Sequence, residues 1–222
     1  MPAYVEHLVD QLSIADGDAP TIMVRAAMVH LNLVMIHPFS DGSGRMARAL
    51  QSLVLSRGGL LDPTFCSIEE YLGHNTQAYY DVLASVGNGR WQPERDARPW
   101  VRFCLIAHYR QAKTAQRRLE TIASLGAEIE RQLEVMRLPQ RAAASLVNAS
   151  LGHRLRRQTY CHEADVSPNI ASRELKQLVD MGFLVGHGEK RGRSYEASTD
   201  LMSLAKRYRG NRPVEDPFEL IA

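Results

Sequence analysis

A loop at residues 37–48 interrupts two stretches of helical apolar periodicity and is the strongest constraint on how this chain can fold. Before the loop, apolar residues recur at helical spacing from 22 to 36, and Pro38 ends that helix because the residue before a proline avoids helical angles. After the loop, helical periodicity resumes and stops at Gly58. The sequence therefore predicts helix, tight loop, helix, with His37 at the end of the first helix.

The glycines and arginines of this loop are typical of a phosphate site. Gly42 and Gly44 flank Ser43 immediately before a helix N-terminus, where free backbone N–H groups and the positive end of the helix dipole favour an anion. Arg45 and Arg48 are three residues apart on the following helix, so both side chains can reach the same polyanion. These residues predict a phosphate cradle together with its counter-charge.

Two further residues of the loop add chemistry to the cradle. Asp41 is a hard oxygen ligand, suited to a magnesium ion that also contacts phosphate oxygens. His37 is the side chain whose proton affinity suits a general base near neutral pH. Taken singly, a glycine turn before a helix or a histidine beside a proline is usually structural, but their proximity favours function. The combination indicates phosphoryl or nucleotidyl transfer, which depends on positioning and charge neutralisation.

The run His-Pro-Phe-Ser-Asp-Gly-Ser-Gly-Arg-Met-Ala-Arg at residues 37–48 resembles the signature of the Fic family, His-x-Phe-x-Asp/Glu-Gly-Asn-Gly-Arg-x-x-Arg, and matches all but one of its specified positions. The resemblance implies an all-helical catalytic domain in residues 1–136, with a substrate-aligning flap near residues 12–23. It also implies an enzyme, a protein adenylyltransferase that uses ATP and Mg²⁺ to transfer AMP to a Ser, Thr or Tyr hydroxyl. The acceptor would be a protein target or the enzyme itself.

The resemblance also implies a role for each position of the loop. His37 would take the proton of the target hydroxyl, Phe39 would anchor the loop in the core, and Asp41 would hold magnesium. The catalytic set would thus be His37, Asp41, Arg45 and Arg48. The nucleotide phosphates would be bound by Gly42, Ser43, Gly44, Arg45 and Arg48, with the two arginines neutralising the β- and γ-phosphates.

Candidates for the nucleoside pocket lie on a further helix, predicted at about residues 69–84. They are Asn75, Tyr79 and Tyr80. A polar helix surface and core aromatics explain these three residues at least as well.

Ser43 is the one departure from the family pattern, which has Asn at this position. Asn tolerates left-handed backbone angles better than Ser and can extend its amide toward phosphate, whereas a Ser hydroxyl can still donate to a phosphate oxygen. We therefore expect transfer of reduced or altered efficiency.

The charge of the chain is concentrated in its second half. Residues 137–212 carry 14 Lys and Arg against 7 Asp and Glu, whereas residues 1–136 carry 13 against 15. Such asymmetry favours an anionic partner for the second half, with nucleic acid first among the candidates. We place the domain boundary near Leu138-Pro139 and assign residues 213–222 to an acidic tail.

The basic half, residues 137–212, is predicted to be a small α+β domain of the winged helix-turn-helix type, which makes the whole chain mainly α. Its expected elements are helices at about 140–147, 159–164 with Thr159 as N-cap, and 168–181 with Ser167 as N-cap, then strands at 183–185 and 193–198. Candidate nucleic-acid contacts are Asn169, Ser172, Arg173 and Lys176 on the third helix and Lys190, Arg191 and Arg193 in the wing. Dimerisation or docking of a target protein would explain this domain equally well.

Cysteine spacing, the N-terminal sequence and hydropathy narrow the classes of protein to which this chain can belong. The cysteines form no pair that predicts a disulfide or structural zinc, and the N-terminus lacks the pattern of a secretory signal. The apolar stretch at 22–36 is short and interrupted by polar residues, so we expect no membrane span and a cytoplasmic protein. Two alternatives stay open: another transfer by the same fold, such as phosphorylation, other nucleotidylation or de-AMPylation, and a DNA-binding regulator whose Fic domain senses nucleotide without turnover.

Overall fold

The computed structural model describes residues 17–59, 67–88, 92–189, 192–210 and 214–219. Across these residues the fold is mainly α-helical with one three-stranded sheet. The chain divides into two compact units, one formed by Met1–Thr114 with Val214–Ala222 and the other by Ala115–Pro213.

The elements of the first unit are helices joined by short loops. They are α1 (Ala19–Ile36), α2 (Ser43–Arg57), α3 (Glu69–His74), α4 (Thr76–Gly87) and the first half of α5 (Arg98–Val135). Helix α5 runs without a break past Thr114, where the two compact units divide, and ends shortly before the boundary proposed from sequence at Leu138-Pro139.

Helix α1 begins and ends where local chemistry dictates. The Asp18 side chain accepts a hydrogen bond from the Thr21 backbone N–H at 3.1 Å and caps the first turn. The helix ends at Ile36, and His37 turns left-handed with φ of 47°, so the predicted end of this helix is confirmed. The described part of the predicted flap, residues 17–23, comprises this cap and the first turns of the helix.

Length and apolar composition alone would allow helix α1 to cross a membrane. The expectation that this stretch is too short therefore does not hold for the full helix, Ala19–Ile36. In the fold, however, its buried residues include polar His30 and Asn32 beside apolar Val29 and Leu33. Helix α1 is thus the central core helix of the first unit.

The core of the first unit packs around helix α1 from two sides. One side, against α2, includes Val29, Leu33 and Leu55, and the other joins α1 to α3, α4 and α5. Trp100 of α5 is fully buried there, and its Nε1–H donates to the Ala27 carbonyl oxygen at 2.7 Å. This bond satisfies the indole donor and fixes α5 against α1.

A row of buried polar side chains crosses this core. His30 Nδ1 lies 2.6 Å from Gln51 Oε1, and His30 Nε2 lies 3.1 Å from the Tyr79 hydroxyl. Gln51 Nε2 lies 2.9 Å from His108 Nε2. Burial is the main cause that lowers the pKa of His30 to about 4, and burial likewise lowers the pKa of His108 to about 4.

These buried histidines predict that the first unit loses stability in acid. Both are neutral when folded, whereas in the unfolded chain they take up protons below the ordinary histidine pKa of about 6.5. The free energy of unfolding should therefore fall as the pH drops from about 6.5 to about 4, by on the order of 3 kcal/mol for each histidine. Denaturation followed by tryptophan fluorescence measures this, because Trp100 is buried in the core of the first unit and the sequence of the second unit contains no tryptophan.

A pair of variants isolates the effect of burial. His108→Gln should flatten the dependence of unfolding free energy on pH, whereas His74→Gln, at an exposed histidine, should leave it unchanged. Equal slopes in wild type and His108→Gln would show that His108 is not the source of the acid sensitivity.

The second unit combines helices with the three-stranded sheet. After α5 come a 3-10 helix (Gln140–Ala142), α6 (Ala143–Ser150), β1 (Leu155–Arg156), α7 (Arg157–Ala164), α8 (Pro168–Asp180), β2 (Leu184–His187), β3 (Ser194–Ala197) and α9 (Thr199–Tyr208). The sheet is antiparallel in the order β1-β3-β2, with Leu155 opposite Tyr195 and Leu184 opposite Ala197. Its core joins the second half of α5 to α6, α8 and the sheet.

Several predicted elements of this unit are confirmed and others needed correction. Ser167 caps α8 by accepting from the Ile170 N–H at 3.5 Å, and Pro168 is the first helical residue, as predicted. Thr159 is not a cap, because α7 already begins at Arg157 after an extended Arg156. Strand β1 and helix α9 were not predicted. Strand β1 has only two residues, which is too short for a period to be visible in the sequence.

Residues 214–219 of the predicted acidic tail belong to the first unit. The Asp216 carboxylate lies 3.7 Å from the Arg102 guanidinium, which in turn lies 4.7 Å from the centre of the Phe218 ring. The Arg102 side chain of α5 therefore holds this segment by both an ion pair and a cation–π contact.

Candidate active site

The loop between α1 and α2 starts at His37, whose left-handed backbone points the chain out of the helix. Its N–H still bonds the Leu33 carbonyl at 3.0 Å, so the backbone at His37 is held by the last turn of α1. The residue is exposed. The sequence thus folds locally to place an accessible imidazole at the start of the loop.

Helix α2 begins inside the loop, at Ser43. Gly42 is its N-cap with φ of 88°, a left-handed angle that favours glycine. Gly44 therefore lies in the first helical turn, and α2 begins two residues earlier than the start predicted after Gly44. Because the first N–H groups of a helix have no partner within it, the backbone from Ser43 to Arg45 presents donors to an anion.

The two arginines of the loop are each held by a carboxylate. Arg45 pairs with Asp41 at 2.9 Å on the surface. Arg48 pairs with Glu69 at 2.5 Å, and the Arg48 side chain is only 25% exposed while that of Glu69 is 56% exposed. The structure therefore places both guanidinium groups beside the helix N-terminus but with carboxylates where a polyanion would bind.

Two expectations about the loop are corrected by the structure. Phe39 does not anchor the loop in the core, since its side chain is 46% exposed. It contributes its carbonyl oxygen instead, which accepts from the Ser43 hydroxyl at 3.2 Å. Ser43 itself is helical and only 2% exposed, so the left-handed strain expected at this position falls on Gly42. The Ser43 hydroxyl closes the loop.

The residues of the loop suit a magnesium ion only if nucleotide phosphates supply further ligands to it. Across the described ranges, no group of three or more His, Cys, Asp or Glu side chains could hold a metal ion. Asp41 is a single exposed carboxylate that already faces Arg45. Mg²⁺ is commonly held by one or two carboxylates while substrate phosphates and water supply the other ligands, so Asp41 suits a magnesium–nucleotide complex.

The three nucleoside candidates lie in different environments. Asn75 separates α3 from α4, because its backbone is not helical and its Nδ2 donates to the Tyr71 carbonyl at 2.8 Å. Tyr79 is a core residue, 5% exposed, whereas Tyr80 is 59% exposed. Only Tyr80 of the two tyrosines has a free face for a nucleoside.

Three residues near the loop escaped the sequence analysis: Glu69, the partner of Arg48, and the buried pair His30 and Gln51. Glu69 lies 21 residues from Arg48 in sequence, so no local spacing relates them. His30 and Gln51 lie on the helices that flank the loop, and a polar residue within an apolar helical pattern was their only signal.

The candidate nucleic-acid contacts of the second unit are partly described. Asn169, Ser172, Arg173 and Lys176 are exposed on one side of α8, while Ala171, Leu175 and Leu178 are buried on the other. The Arg193 guanidinium lies 5.4 Å from the centre of the Tyr195 ring. Lys190 and Arg191 lie outside the described residues.

Comparison with known proteins adds family information for part of the chain. Residues 1–55 match the model of the Fic/DOC family, and this segment contains the whole loop at 37–48. The chain is similar to the protein adenylyltransferase fic-1 of Caenorhabditis briggsae, at 36% identity over 106 residues, which is 46% of this chain and 18% of that protein.

Two further relatives carry the same description. The protein adenylyltransferase Fic of Aedes aegypti is 44% identical over 78 residues, covering 35% of this chain and 13% of that protein. The protein adenylyltransferase Fic of Nematostella vectensis is 33% identical over 114 residues, covering 49% of this chain and 22% of that protein. The chain thus spans only between 13% and 22% of the length of these relatives.

Proposed function

We propose that this chain is a protein adenylyltransferase, which transfers AMP from ATP to a Ser, Thr or Tyr hydroxyl of a protein. The observation that carries the proposal is the loop at 37–48, where an exposed histidine is followed by a helix N-terminus whose first two turns carry two arginines. The similarity of the chain to adenylyltransferases supports it.

In this mechanism the residues of the loop have separate roles. His37 takes the proton from the target hydroxyl as the hydroxyl oxygen attacks the α-phosphorus of ATP. The bond from that phosphorus to the bridging oxygen breaks, and pyrophosphate leaves. The backbone N–H groups at the start of α2 bind phosphate oxygens, while Arg45 and Arg48 neutralise the charge that develops on the leaving pyrophosphate.

Asp41 is the residue that would hold magnesium in this proposal. A magnesium ion bound with the nucleotide would offset phosphate charge and orient the triphosphate. Arg45, which pairs with Asp41 at 2.9 Å, would then be released toward the phosphates. Both partners of this surface pair thus have a function in the nucleotide complex.

Glu69 is expected to compete with the nucleotide for Arg48. Its carboxylate lies 2.5 Å from the Arg48 Nε, so ATP must break this pair to use the guanidinium. Glu69→Gln should therefore tighten ATP binding about two- to fivefold, the range that a partly exposed ion pair is worth. Isothermal titration with ATP measures the change.

Glu70→Gln is the matched control, because it removes the same charge from the neighbouring position. Glu70 accepts from Gln111 Nε2 at 3.0 Å, on the adjacent helix. A gain in affinity of equal size in both variants would mean that general charge, and not the contact with Arg48, governs binding.

A second proposal concerns the second unit, Ala115–Pro213. We propose that the second unit is a winged helix-turn-helix domain that binds DNA, with α8 in the major groove. The antiparallel order β1-β3-β2 and the exposed Arg173 and Lys176 on α8 support this. Titration with duplex DNA at increasing salt tests it, because phosphate contacts weaken steeply with salt. An absence of binding at low salt would favour docking of a protein.

Mass spectrometry separates the proposed reaction from its alternatives. The chain is incubated with ATP, Mg²⁺ and a cell lysate, and modified peptides are identified by the mass they gain. Peptides that carry AMP support the proposal, and peptides that carry phosphate or another nucleotide would replace it by another transfer of the same kind. If no peptide is modified although ATP binds, a nucleotide-sensing regulator is favoured.

A further inference from the structure

The buried polar row of the first unit runs from Tyr79 through His30 and Gln51 to His108, and each of its hydrogen bonds has a defined donor and acceptor. Gln51 Nε2 is a donor facing His108 Nε2, and Gln51 Oε1 is an acceptor facing His30 Nδ1, so His30 carries its proton on Nδ1. His30 Nε2 is then an acceptor, and the Tyr79 hydroxyl donates to it at 3.1 Å. The lone pairs of the Tyr79 oxygen are left facing away from His30, ready to accept from another donor.

Two members of this row, His30 and Gln51, lie on the helices that flank the candidate active site. His30 lies on α1, and His37 is the C-cap residue directly after the last residue of the same helix. Gln51 is three residues after Arg48 on α2, about one turn away. The bond between His30 and Gln51 therefore links the two helices that carry the proposed base and one of the proposed phosphate-binding arginines.

We propose that Tyr79 is a positioning residue whose hydroxyl, oriented by His30 and Gln51, accepts from Arg48 and aims that guanidinium at the nucleotide phosphates. This inference rests on the proposed function, since it assigns a purpose to the position of Arg48. Tyr79 lies in the core and not in an open pocket, so it acts through Arg48 and does not contact the nucleoside.

The electrostatic environment of Tyr79 agrees with this arrangement. Burial raises the pKa of the Tyr79 phenol, while the Arg48 guanidinium acts on the same phenol in the opposite direction. Arg48 also acts on His30, where it adds to the effect of burial in lowering the pKa. The Arg48 charge therefore acts on both partners of the bond between Tyr79 and His30.

The test compares Tyr79→Phe with Tyr80→Phe. Each variant removes one hydroxyl and keeps the ring, but Tyr80 is the exposed neighbour without a place in the buried row. Dissociation constants for ATP and AMP are measured by titration calorimetry. Tyr79→Phe should weaken ATP binding about tenfold, the loss expected for a hydrogen bond to a charged group, and leave AMP binding unchanged because Arg48 serves the outer phosphates. Tyr80→Phe should keep the ratio of the two constants at the wild-type value.

A second measurement does not depend on nucleotide. The Nη–H resonances of Arg48, whose Nε–H already donates to Glu69, are assigned by their loss in Arg48→Lys and should shift in nucleotide-free Tyr79→Phe and stay in place in Tyr80→Phe. An unmoved resonance overturns the inference, and so does an unchanged ratio of ATP to AMP affinity. If wild type binds no ATP although the resonance shifts, the proposed function fails, and the assigned purpose of the contact fails with it.

Folding of the variants is checked by circular dichroism. Gln51→Met, which keeps the side-chain volume and removes both amide contacts, should lower the preference for ATP in the same direction as Tyr79→Phe. It takes the place of Tyr79→Phe if that variant does not fold. An unchanged preference in a folded Gln51→Met would contradict the role of the row in orienting Tyr79.

Discussion

His37→Ala is expected to lower the rate of AMP transfer by about 10²- to 10⁴-fold, the contribution typical of a general base. The exposed imidazole at the end of α1 is the group placed to take the proton of the incoming hydroxyl. The variant should still bind ATP, because the start of α2 and the two arginines are untouched. Initial rates of protein labelling from ATP, together with titration calorimetry, measure both effects.

The control for this variant is His74→Ala, which removes another exposed histidine of the same unit. It should transfer AMP at the wild-type rate. Labelling that persists at the wild-type rate in His37→Ala would remove His37 from its role as base. Loss of ATP binding together with activity would instead indicate that the loop had lost its shape.

Arg48→Ala is the second change with a large expected effect, a loss of about 10²- to 10³-fold in transfer rate, as for removal of one group that stabilises transition-state charge. Arg48 is the less exposed of the two arginines and is held by Glu69 beside the helix N-terminus. The loss should appear in both the rate constant and the affinity for ATP. Steady-state rates at several ATP concentrations separate the two.

Arg57→Ala provides the comparison, since it removes an exposed arginine from the last turn of the same helix. It should leave transfer and ATP affinity unchanged. If Arg48→Ala keeps the wild-type rate at saturating ATP, Arg48 binds the ground state only, and the transition-state role assigned to it is wrong.

The local structure of the loop was readable from its sequence because short-range rules fix it. Pro38 ends helix α1, and the Gly42 to Gly44 segment starts the next helix, two residues before the predicted position. The proposed phosphate-binding character of the loop is inferred from the same local features. The shape of the loop is confirmed, and its chemistry stays a prediction.

Contacts between residues that are far apart in sequence could not be predicted from these short-range rules. The pairing of Arg48 with Glu69 and the row from Tyr79 to His108 join positions that are 21 or more residues apart. The outward position of Phe39 was also missed, because an aromatic residue beside a helix carries no sign of which way its ring will turn. Tertiary packing determines both these contacts and the orientation of the Phe39 ring.

In the second unit, capping chemistry located α8 well, while the shortest strand was not predictable. Ser167 and Pro168 are a local start signal that the structure confirms. Strand β1 exists only because Leu155 and Arg156 pair with β3, almost forty residues later. A strand defined by its partner and not by its own period leaves no pattern in the sequence.

Incubation with ATP labelled at the α-phosphate or at the γ-phosphate tests the central claim most directly. If residues 37–48 form an adenylyl transfer site, protein should be labelled from α-labelled ATP alone, and His37→Ala should remove that label. Label from the γ-phosphate alone would show phosphorylation. Label from neither, in a protein that binds ATP, would contradict transfer altogether.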